Sequence, residues 1–566
     1  MKHLFFLVFL SGILGTNLLK AQGCPNPTAQ IDLDGNALHV RLLNGGDLGW
    51  DFSNPSFQPE YNGPLSPSTI FSAGLWMGGI DPAGNLILDA IRYRSDGKPS
   101  YWPGPLNITT GSPSSIDCAN WNRFFKVTAE DINAFLADLS DGVLSGAHPA
   151  IKGWPARNNP FFADVTGFDL PNNHPILAPF HDANNDGQYN PLDGDYPAIK
   201  IQGHPEFVPS IQIWYLMNDN GNIDAASGGA NIPGEIHVTA FQFNCPGNPV
   251  INNTMFTNHR LVSYATQAID SFSMGLFVDF DLGCFSDDCV GSRPSSHTFY
   301  AYNATNLDGP SCSGTYSYGE NPPVEAVSFL NTTLDRFINI NNVSTFTTPV
   351  GTTDPQMTVE YYHYLNGHWR DDLPLTQGNN GYNPASSIPA THIFPDDPNN
   401  PNGWSMTSSN LPGRDIRGLG THYVGTLHPG QIQDLTTAWS YHRAPGLNNL
   451  QNVTRMFSDV DQIQNLFDNN FTDVCAPFVV STQQAERHSN LRFAPNPTAT
   501  QVQVSFGEAL SGLMRVFDRT GKLVLEQMID NQSILKIETS NWANGMYFFE
   551  MVSGNKVLSG KLSVAK

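Results

Sequence analysis

The sequence has few charged residues and few long apolar runs. Charged side chains make up 14% of its 566 residues, against about 25% in typical soluble domains. After the N-terminal segment, no stretch reaches the roughly 18 uninterrupted apolar residues that a membrane-spanning helix needs. Acids outnumber bases by 51 to 28, which gives a net charge of −23. This charge argues against nucleic acid and against an anionic membrane surface as partners.

Common catalytic and metal-binding motifs are also missing. The chain has no CxxC, HExxH or HxH pair, no GxSxG elbow, no P-loop and no dinucleotide fingerprint, and its 16 His residues are scattered. A zinc hydrolase and the enzyme classes that carry those motifs are therefore not supported. The chain also has no internal repeat of fixed period, which disfavours a propeller or a solenoid.

Glycine, proline and aromatic residues are plentiful instead. The chain holds 50 Gly and 42 Pro, and its 35 Phe and 10 Trp provide ample core material. We expect a mainly β fold, with one or two β-sandwich-like domains, long loops and two helices. The predicted division is a signal peptide at 1–22, β-rich regions at 24–234 and 235–475, a linker at 476–490 and a small C-terminal domain at 491–566.

Two helices are predicted from capping and periodicity. Thr128 is an N-cap with an acidic residue three positions later, and apolar residues follow at helical spacing to Leu139. A second apolar stripe runs from Leu447 to Phe467. Most other apolar segments are typical of strands, and His428-Pro429-Gly430 suits a type II turn between two of them.

The N-terminus is typical of a secretory signal peptide. A basic start is followed by a short apolar stretch and a small-residue junction at Ala21–Gly23. Cys24 lies just after this junction, so lipidation of Cys24 is an alternative.

Export brings the chain into an oxidising compartment, which favours disulfides over metal-bound thiolates. The seven cysteines leave at least one unpaired, and we take Cys24 as that residue. Cys284 and Cys289 are close enough in sequence to form a local disulfide.

The last residues form short alternating segments separated by glycine-containing turns, which predicts a small β-sandwich. Three segments make the likeness specific: Phe493–Pro497, VFDRTGKLVLEQ and the closing NWANGMYFFEMVSGNKVLSGKLSVAK. Together they resemble the type A C-terminal sorting domain of proteins exported by the bacterial type IX secretion system. The resemblance implies an immunoglobulin-like β-sandwich, recognition by the type IX machinery, and a secreted or cell-surface location. It also implies release of the cargo or its attachment to surface lipopolysaccharide.

The body resembles a recurrent group of large type IX cargo proteins with no assigned reaction. The likeness extends over most of residues 36–470 and includes the segments FSAGLWMGGIDPAGNL, DANNDGQYNPLDGDYPAIKIQG and LPGRDIRGLGTHYVGTLHPGQ. It supports architecture and location, and it contributes nothing to a mechanism.

Residues 182–193 have the ligand spacing of an EF-hand calcium loop. Gly187 occupies the sixth position, where that loop turns sharply. The predicted ligands are Asp182, Asn184, Asp186, Gln188 through its carbonyl, Asn190 and Asp193. The flanking residues are not typical of helices, so we expect a structural calcium loop within β-structure. A metal-free cluster of Asx turns is the alternative, because Asp, Asn and Gly also favour turns.

A second acidic group follows the predicted strand 272–280. Asp279 and Asp281 share one face at a spacing of about 7 Å, and Asp287 and Asp288 lie in the next loop. The three interpretations are a second calcium site, solvated or turn-capping acids, and a catalytic carboxylate pair of the kind glycosidases use.

These features favour an exported, calcium-stabilised protein whose role is binding, adhesion or structure, with extracellular polysaccharide as one possible partner. The absence of a recognisable catalytic motif disfavours an enzyme. The alternative is a secreted hydrolase acting on polysaccharide, since much type IX cargo is degradative. An aromatic run at 361–370 fits either buried packing or a sugar-stacking platform.

Overall fold

The computed structural model describes residues 23–50, 56–93, 99–140, 142–222, 224, 226–309, 312, 316–344, 348–475, 491–519, 522–553 and 556–566. The chain divides into a body that ends at Ala476 and a C-terminal unit that begins at Pro477. The predicted signal peptide and the predicted linker, 476–490, lie outside the described residues.

Two antiparallel sheets of nine strands each, sheet A and sheet B, form the body. In chain order the body strands are β1 (Gln30–Leu33), β2 (Leu38–Leu43), β3 (Asp47–Leu48), β4 (Phe57–Pro59), β5 (Ile70–Ile80), β6 (Leu86–Ala90), β7 (Trp102–Pro103), β8 (Phe125–Thr128), β9 (Phe180–His181), β10 (Tyr196–Pro197), β11 (Ile211–Asn218), β12 (Gly234–Gln242), β13 (Thr254–Ser263), β14 (Ile269–Phe280), β15 (Asp288–Arg293), β16 (Thr298–Asn303), β17 (Val324–Phe329), β18 (Arg336–Asn341), β19 (Ile416–Leu427) and β20 (Ile432–His442). Sheet A has the order β1-β2-β3-β5-β14-β19-β18, with β4 beside β2 and β6 beside β5. Sheet B has the order β15-β16-β17-β20-β13-β12-β11-β7, with β8 beside β11, and β9 pairs only with β10.

The two sheets share one apolar core. Phe299 of sheet B stacks on Phe337 of sheet A with ring centroids 5.0 Å apart, and Trp439 of sheet B contacts Phe57 of sheet A. A single cluster of buried residues includes side chains from both sheets, and each large side chain buried there stabilises the fold by roughly 1.5–3 kcal/mol. The body is therefore one sandwich.

The expected boundary at 234/235 is wrong. β12 begins at Gly234 and pairs along its length with β11, which ends at Asn218. Sheet A combines β1 to β6 with β14, β18 and β19, so strands from both sides of the expected boundary belong to the same sheet.

The turn at residues 428–431 carries the chain from one sheet to the other. Gln431 N–H donates to the His428 carbonyl at 3.1 Å, and Gly430 has a φ of +74°. Both features fit the predicted type II turn. The strands it joins, β19 and β20, do not pair with each other, because β19 belongs to sheet A and β20 to sheet B.

The described residues contain seven α-helices: α1 (Ser115–Asn120), α2 (Ala129–Leu139), α3 (Pro149–Lys152), α4 (Phe162–Thr166), α5 (Pro249–Asn252), α6 (Thr358–Leu365) and α7 (Asn449–Asp468). The two predicted helices, α2 and α7, are confirmed, and Thr128 and Asp131 form the expected capping box. The count of two is too low because the other five helices have eight residues or fewer. So short an element leaves little periodic signal.

α6 and α7 cover the outer faces of the sheets. On sheet A, Tyr361 of α6 contacts Trp76, and Tyr364 and Trp369 are fully buried. Much of the aromatic run at 361–370 is therefore buried against sheet A, in line with the buried-packing interpretation. On sheet B, Ile463 and Phe467 of α7 pack in an apolar cluster with side chains of β12, β13 and β20.

Three disulfides form in the body, and two cysteine expectations are wrong. The bridges are Cys24–Cys118, Cys245–Cys475 and Cys284–Cys312. Cys24 is bonded, so its thiol is not available for lipidation. The free cysteine among the described residues is Cys289, which is buried in β15. Cys284 is bonded to Cys312, so the expected local pair with Cys289 does not form.

The C-terminal unit is a five-stranded antiparallel sheet. Its strands are β21 (Arg492–Ala494), β22 (Gln501–Asp518), β23 (Leu523–Glu538), β24 (Gly545–Ser553) and β25 (Lys556–Val564). The long strand β22 pairs with β21 near its start and with β24 near its end. The core of the unit includes Val504, Met514, Val516, Phe549 and Leu562. The unit is β-sandwich-like, as predicted. The predicted turn residues 520–521 and 554–555 lie outside the described residues.

We predict one thiol per chain, and it should react only after unfolding. Burial, and then the charge of Asp288, raise the pKa of the Cys289 thiol to about 12, so the native protein presents no reactive thiolate. A thiol reagent should modify no cysteine in the native protein and one cysteine after denaturation without reductant. The Cys289→Ser variant should give none under either condition. Two or more modified cysteines would contradict the disulfide arrangement.

Candidate functional site

The predicted calcium loop lies between two short strands. β9 and β10 pair at His181 and Tyr196, so strands and not helices flank residues 182–193. Asn184, Asp186, Gln188 and Asp193 are exposed, whereas the ring of Tyr189 is buried and its hydroxyl donates to the Ile151 carbonyl. Tyr189 and the buried Pro191 thus anchor the loop, while most of its other side chains face solvent.

Carboxylates organise the first half of this loop. Asp182 Oδ2 accepts from Gly187 N–H at 2.8 Å, and Asp182 Oδ1 accepts from Asp186 N–H at 3.2 Å. Asp186 Oδ1 in turn accepts from Gln188 N–H at 2.7 Å. Gly187 has a φ of +74°, which a residue with a side chain adopts at a cost. Both carboxylates therefore accept backbone N–H groups of this turn and stabilise it.

The remaining predicted ligands are tied to near neighbours. Asn190 Nδ2 donates to Asp193 Oδ2 at 2.8 Å, and Asn184 Nδ2 donates to Asp186 Oδ2 at 3.1 Å. The Gln188 side-chain oxygen accepts from Asn158 at 3.4 Å. All six predicted residues thus make hydrogen bonds within the loop, and the Gln188 side chain also bonds to Asn158 outside it.

Asp195 closes this loop, and sequence reasoning missed it. Its side chain is fully buried, and its two oxygens accept from Ala183 N–H at 2.8 Å and Asn190 N–H at 2.9 Å. Burial raises its pKa, and the charges of Asp182 and Asp186 act in the same direction. Asp195 follows the last position of the ligand pattern, so the pattern gave no reason to select it.

In the second acidic group, Asp279 already has partners. Arg417 Nε lies 3.1 Å from Asp279 Oδ1, and the Tyr93 hydroxyl donates to Asp279 Oδ2 at 2.7 Å. Burial raises the pKa of Asp279 to about 7, and the Arg417 guanidinium opposes the rise. The sequence did not point to Tyr93 or Arg417. Both come from strands or segments remote from Asp279 in the chain.

Asp281 and Asp288 are buried near Asp279. Burial, followed by the charges of Asp279 and Asp288, raises the pKa of Asp281. Asp288 Oδ2 accepts from Leu282 N–H at 3.1 Å, while its Oδ1 has no hydrogen-bond partner. The structure therefore brings three of the four predicted acids together, and Arg417 is the counter-charge of Asp279.

Asp287 belongs to a different group. Within the described part of the chain, one set of three His, Cys, Asp or Glu side chains has ligand atoms within 4.8 Å of one another: Cys284, Asp287 and Asp308. Cys284 is in a disulfide and cannot act as a thiolate ligand. Asp308, which the sequence did not single out, accepts backbone N–H groups from Cys284 and Tyr318. Burial raises its pKa to about 6.

A polar groove runs along α7 on sheet B. Its volume is about 530 Å³, and its lining includes Asn331, Thr332, Thr333, Gln464, Asn465 and Asp468. Arg293 fixes α7 beside the sheet, with guanidinium nitrogens 2.6 and 3.0 Å from the oxygens of Asp461. The groove thus has a helix on one side and the ends of sheet strands on the other.

The C-terminal unit matches a known family. Residues 492–565 match the model of the secretion system C-terminal sorting domain. The protein is a type IX secretion cargo protein. This cargo is secreted or located at the cell surface, and its sorting domain interacts with the type IX secretion machinery. The likeness of its body to other large cargo proteins stays a prediction.

Other comparisons add little about this cargo protein. No protein of curated function matches it. A solved structure described as a polysaccharide lyase is similar over 65% of this chain and 39% of its own, with 8% sequence identity and a TM-score of 0.18. The cargo therefore spans less than half of that protein, and so weak a likeness carries no argument. Among the described residues, no helix is long and apolar enough to cross a membrane.

We predict that the Arg417→Met variant of the cargo is strongly destabilised. The substitution leaves the Asp279 carboxyl buried without its main counter-charge, a loss that typically costs about 3–5 kcal/mol. Chemical denaturation at pH 8 should show this decrease in the free energy of unfolding. Asp270→Asn, at an exposed position of β14, should change it by no more than about 0.5 kcal/mol. Equal stabilities for the two variants would show that the buried pair contributes nothing.

Proposed function

We propose that the body of this cargo protein binds an extracellular polysaccharide, either free or as surface lipopolysaccharide, and so serves adhesion, matrix formation or polymer capture. The polar groove beside α7 is the observation that carries this proposal. Its lining offers amide, hydroxyl and carboxylate groups, which hydrogen-bond well to the hydroxyl groups of sugars. The sorting domain supports it too, because it delivers the body to the compartment where such polymers lie.

The rigidity of the groove also favours binding. Arg293 joins sheet B to α7 through the bidentate contact with Asp461, and its guanidinium lies 5.0 Å from the centre of the Phe457 ring. Residues 330–333 follow β17 directly, so they are held by the sheet. Binding groups on rigid elements lose little conformational entropy when a ligand binds.

The proposal includes a structural calcium ion at residues 182–193. Asp182 and Asp186 both accept backbone N–H groups of a tight turn, and Asp195 holds the two ends of the loop together. Carboxylate and amide oxygens are the ligands that calcium prefers. The second acidic group fits an ion less well, because Arg417 already neutralises Asp279.

We predict that calcium raises the stability of the purified chain from residue 23, and that Asp182→Ala reduces this effect. An ion that binds only the folded state stabilises it by about 2.7 kcal/mol when its free concentration is about 100 times its Kd. Denaturation with calcium and with chelator measures the difference for each protein. Asp182→Ala also removes two hydrogen-bond acceptors, so only the calcium-dependent part is informative. Asp34 is an exposed acid elsewhere, so Asp34→Ala should keep the full calcium-dependent stabilisation. An equal stabilisation in Asp182→Ala would exclude the loop as the calcium site.

We predict that filling the groove abolishes polymer binding. Asn465→Trp places a large ring in the groove, and it should lower retention on an immobilised polysaccharide by at least about tenfold, equivalent to 1.4 kcal/mol. Gln462→Trp, at an exposed position of α7 outside the lining, should bind like the unmodified protein. A panel of polysaccharides and lipopolysaccharide provides the immobilised ligands.

Two outcomes of that experiment would contradict the proposal. If no polymer of the panel retains the unmodified protein, the groove is not a polysaccharide site. If soluble product is released and a single carboxylate substitution stops the release, the cargo is a secreted hydrolase acting on polysaccharide.

A further inference from the structure

Three buried carboxylates meet where the edge of sheet A lies against sheet B. Asp89 is in β6, the edge strand beside β5, and Asp219 directly follows β11. Asp224 is in the segment that joins β11 to β12. That segment is held against β6 by a hydrogen bond from Leu88 N–H to the Ala230 carbonyl, 3.0 Å long. The three acids therefore come from remote parts of the sequence to one place in the fold.

Two of these carboxylates are buried without enough hydrogen bonds. Asp89 and Asp219 have no exposed surface, and Asp224 is 1% exposed. Both oxygens of Asp89 and Oδ1 of Asp219 have no hydrogen-bond partner. Asp224 differs, because it accepts from the Ser100 hydroxyl at 2.9 Å and from Ala226 N–H at 2.8 Å. Unpartnered buried carboxylates are costly, so this place in the fold lacks a compensating group.

The compensating group is not a basic side chain of the described residues. Two other buried acids of the body have one: Arg417 pairs with Asp279, and Arg260 pairs with Asp434. None of the ion pairs formed by the described residues includes Asp89, Asp219 or Asp224. Instead the carboxyl groups of Asp89 and Asp219 lie within hydrogen-bonding range of each other, and the charge of Asp224 acts on both. Two acceptors at this distance repel unless a proton or a cation lies between them.

We propose that Asp89 and Asp219, with Asp224 as a third carboxylate, bind one calcium ion that joins the edge of sheet A to sheet B. The three side chains offer up to six oxygens, and calcium takes six to eight oxygen ligands in flexible geometry. The donors include no imidazole or thiolate, which argues against zinc. The oxygens of the three acids are not all within 4.8 Å of one another, so we expect binding to draw Asp224 towards the Asp89–Asp219 pair. The proposal is independent of the groove and of the loop at residues 182–193.

The competing explanation is a proton shared by Asp89 and Asp219. The variant Asp89→Asn distinguishes the two, because an amide preserves the volume, donates hydrogen bonds to Asp219 and removes one charge. It should relieve the repulsion in either case. Only under our proposal does it also remove a calcium-dependent effect.

The test uses the chain from residue 23 with Asp182→Ala, which removes the first predicted ligand of the loop at 182–193. Isothermal titration of the chelator-treated protein with calcium measures the number of ions bound, and denaturation with and without calcium measures the stabilisation. Adding Asp89→Asn should lower the number of bound ions by one and abolish or reduce the calcium-dependent increase in stability. Adding Asp81→Asn, an exposed acid in the turn between β5 and β6, should change neither quantity.

A second readout guards against misfolding of the variant. Burial raises the pKa of Tyr101, and the nearby charges of the three acids raise it further. Because Tyr101 lies this close to the acids, it should sensitise luminescence from terbium bound in place of calcium. Calcium should displace this signal, and Asp219→Asn should abolish it. Two results would overturn the proposal in favour of a shared proton. In the first, Asp89→Asn binds as many ions and is stabilised by calcium as much as the protein without this substitution. In the second, the chelator-treated protein neither binds calcium nor gives the terbium signal.

Discussion

The packing of two nine-stranded sheets around one core is the constraint on which the body depends. Each sheet combines strands from distant parts of the chain, so neither is complete until most of the body has folded. Phe299 and Phe337 illustrate this, since their stacked rings join a strand of sheet B to a strand of sheet A. The edges and outer faces of the two sheets then support the groove beside α7, the loop between β9 and β10, and the buried acids at β6.

Some buried acids of the body have counter-charges within the fold, and others have none. Asp279 and Asp434 are paired with arginines, so their charges are compensated within the fold, and Glu235 accepts hydrogen bonds from two histidines. Asp89 and Asp219 have no such partner among the described residues. For a chain with so few basic residues, a metal ion is a simple way to compensate the excess of buried acid. Under our proposal, calcium would stabilise the body.

Local signals in the sequence predicted local structure well. The capping box at Thr128 and Asp131 located α2, and the proline–glycine pair at 429–430 located the turn between β19 and β20. The sorting domain was recognisable because its motifs are contiguous. What the sequence did not provide was the set of long-range partners. Nothing local indicates that β19 and β20 enter different sheets.

The same limit applies to the candidate sites. The spacing of residues 182–193 is a local pattern, but Asp195 closes that loop from outside the pattern. Asp279 was selected by its position on a strand, whereas its partner Arg417 is defined only by the pairing of β14 with β19. Cys24 pairs with Cys118 across 94 residues, a distance at which spacing carries no information.

Calorimetry of residues 23–475 tests most directly the claim that the body is one sandwich. If strands from both halves complete each sheet, heat should unfold the body in a single transition whose calorimetric and van't Hoff enthalpies agree. Two resolved transitions, with proteolysis of the intermediate cutting near residue 234, would show two independent domains and contradict the shared core.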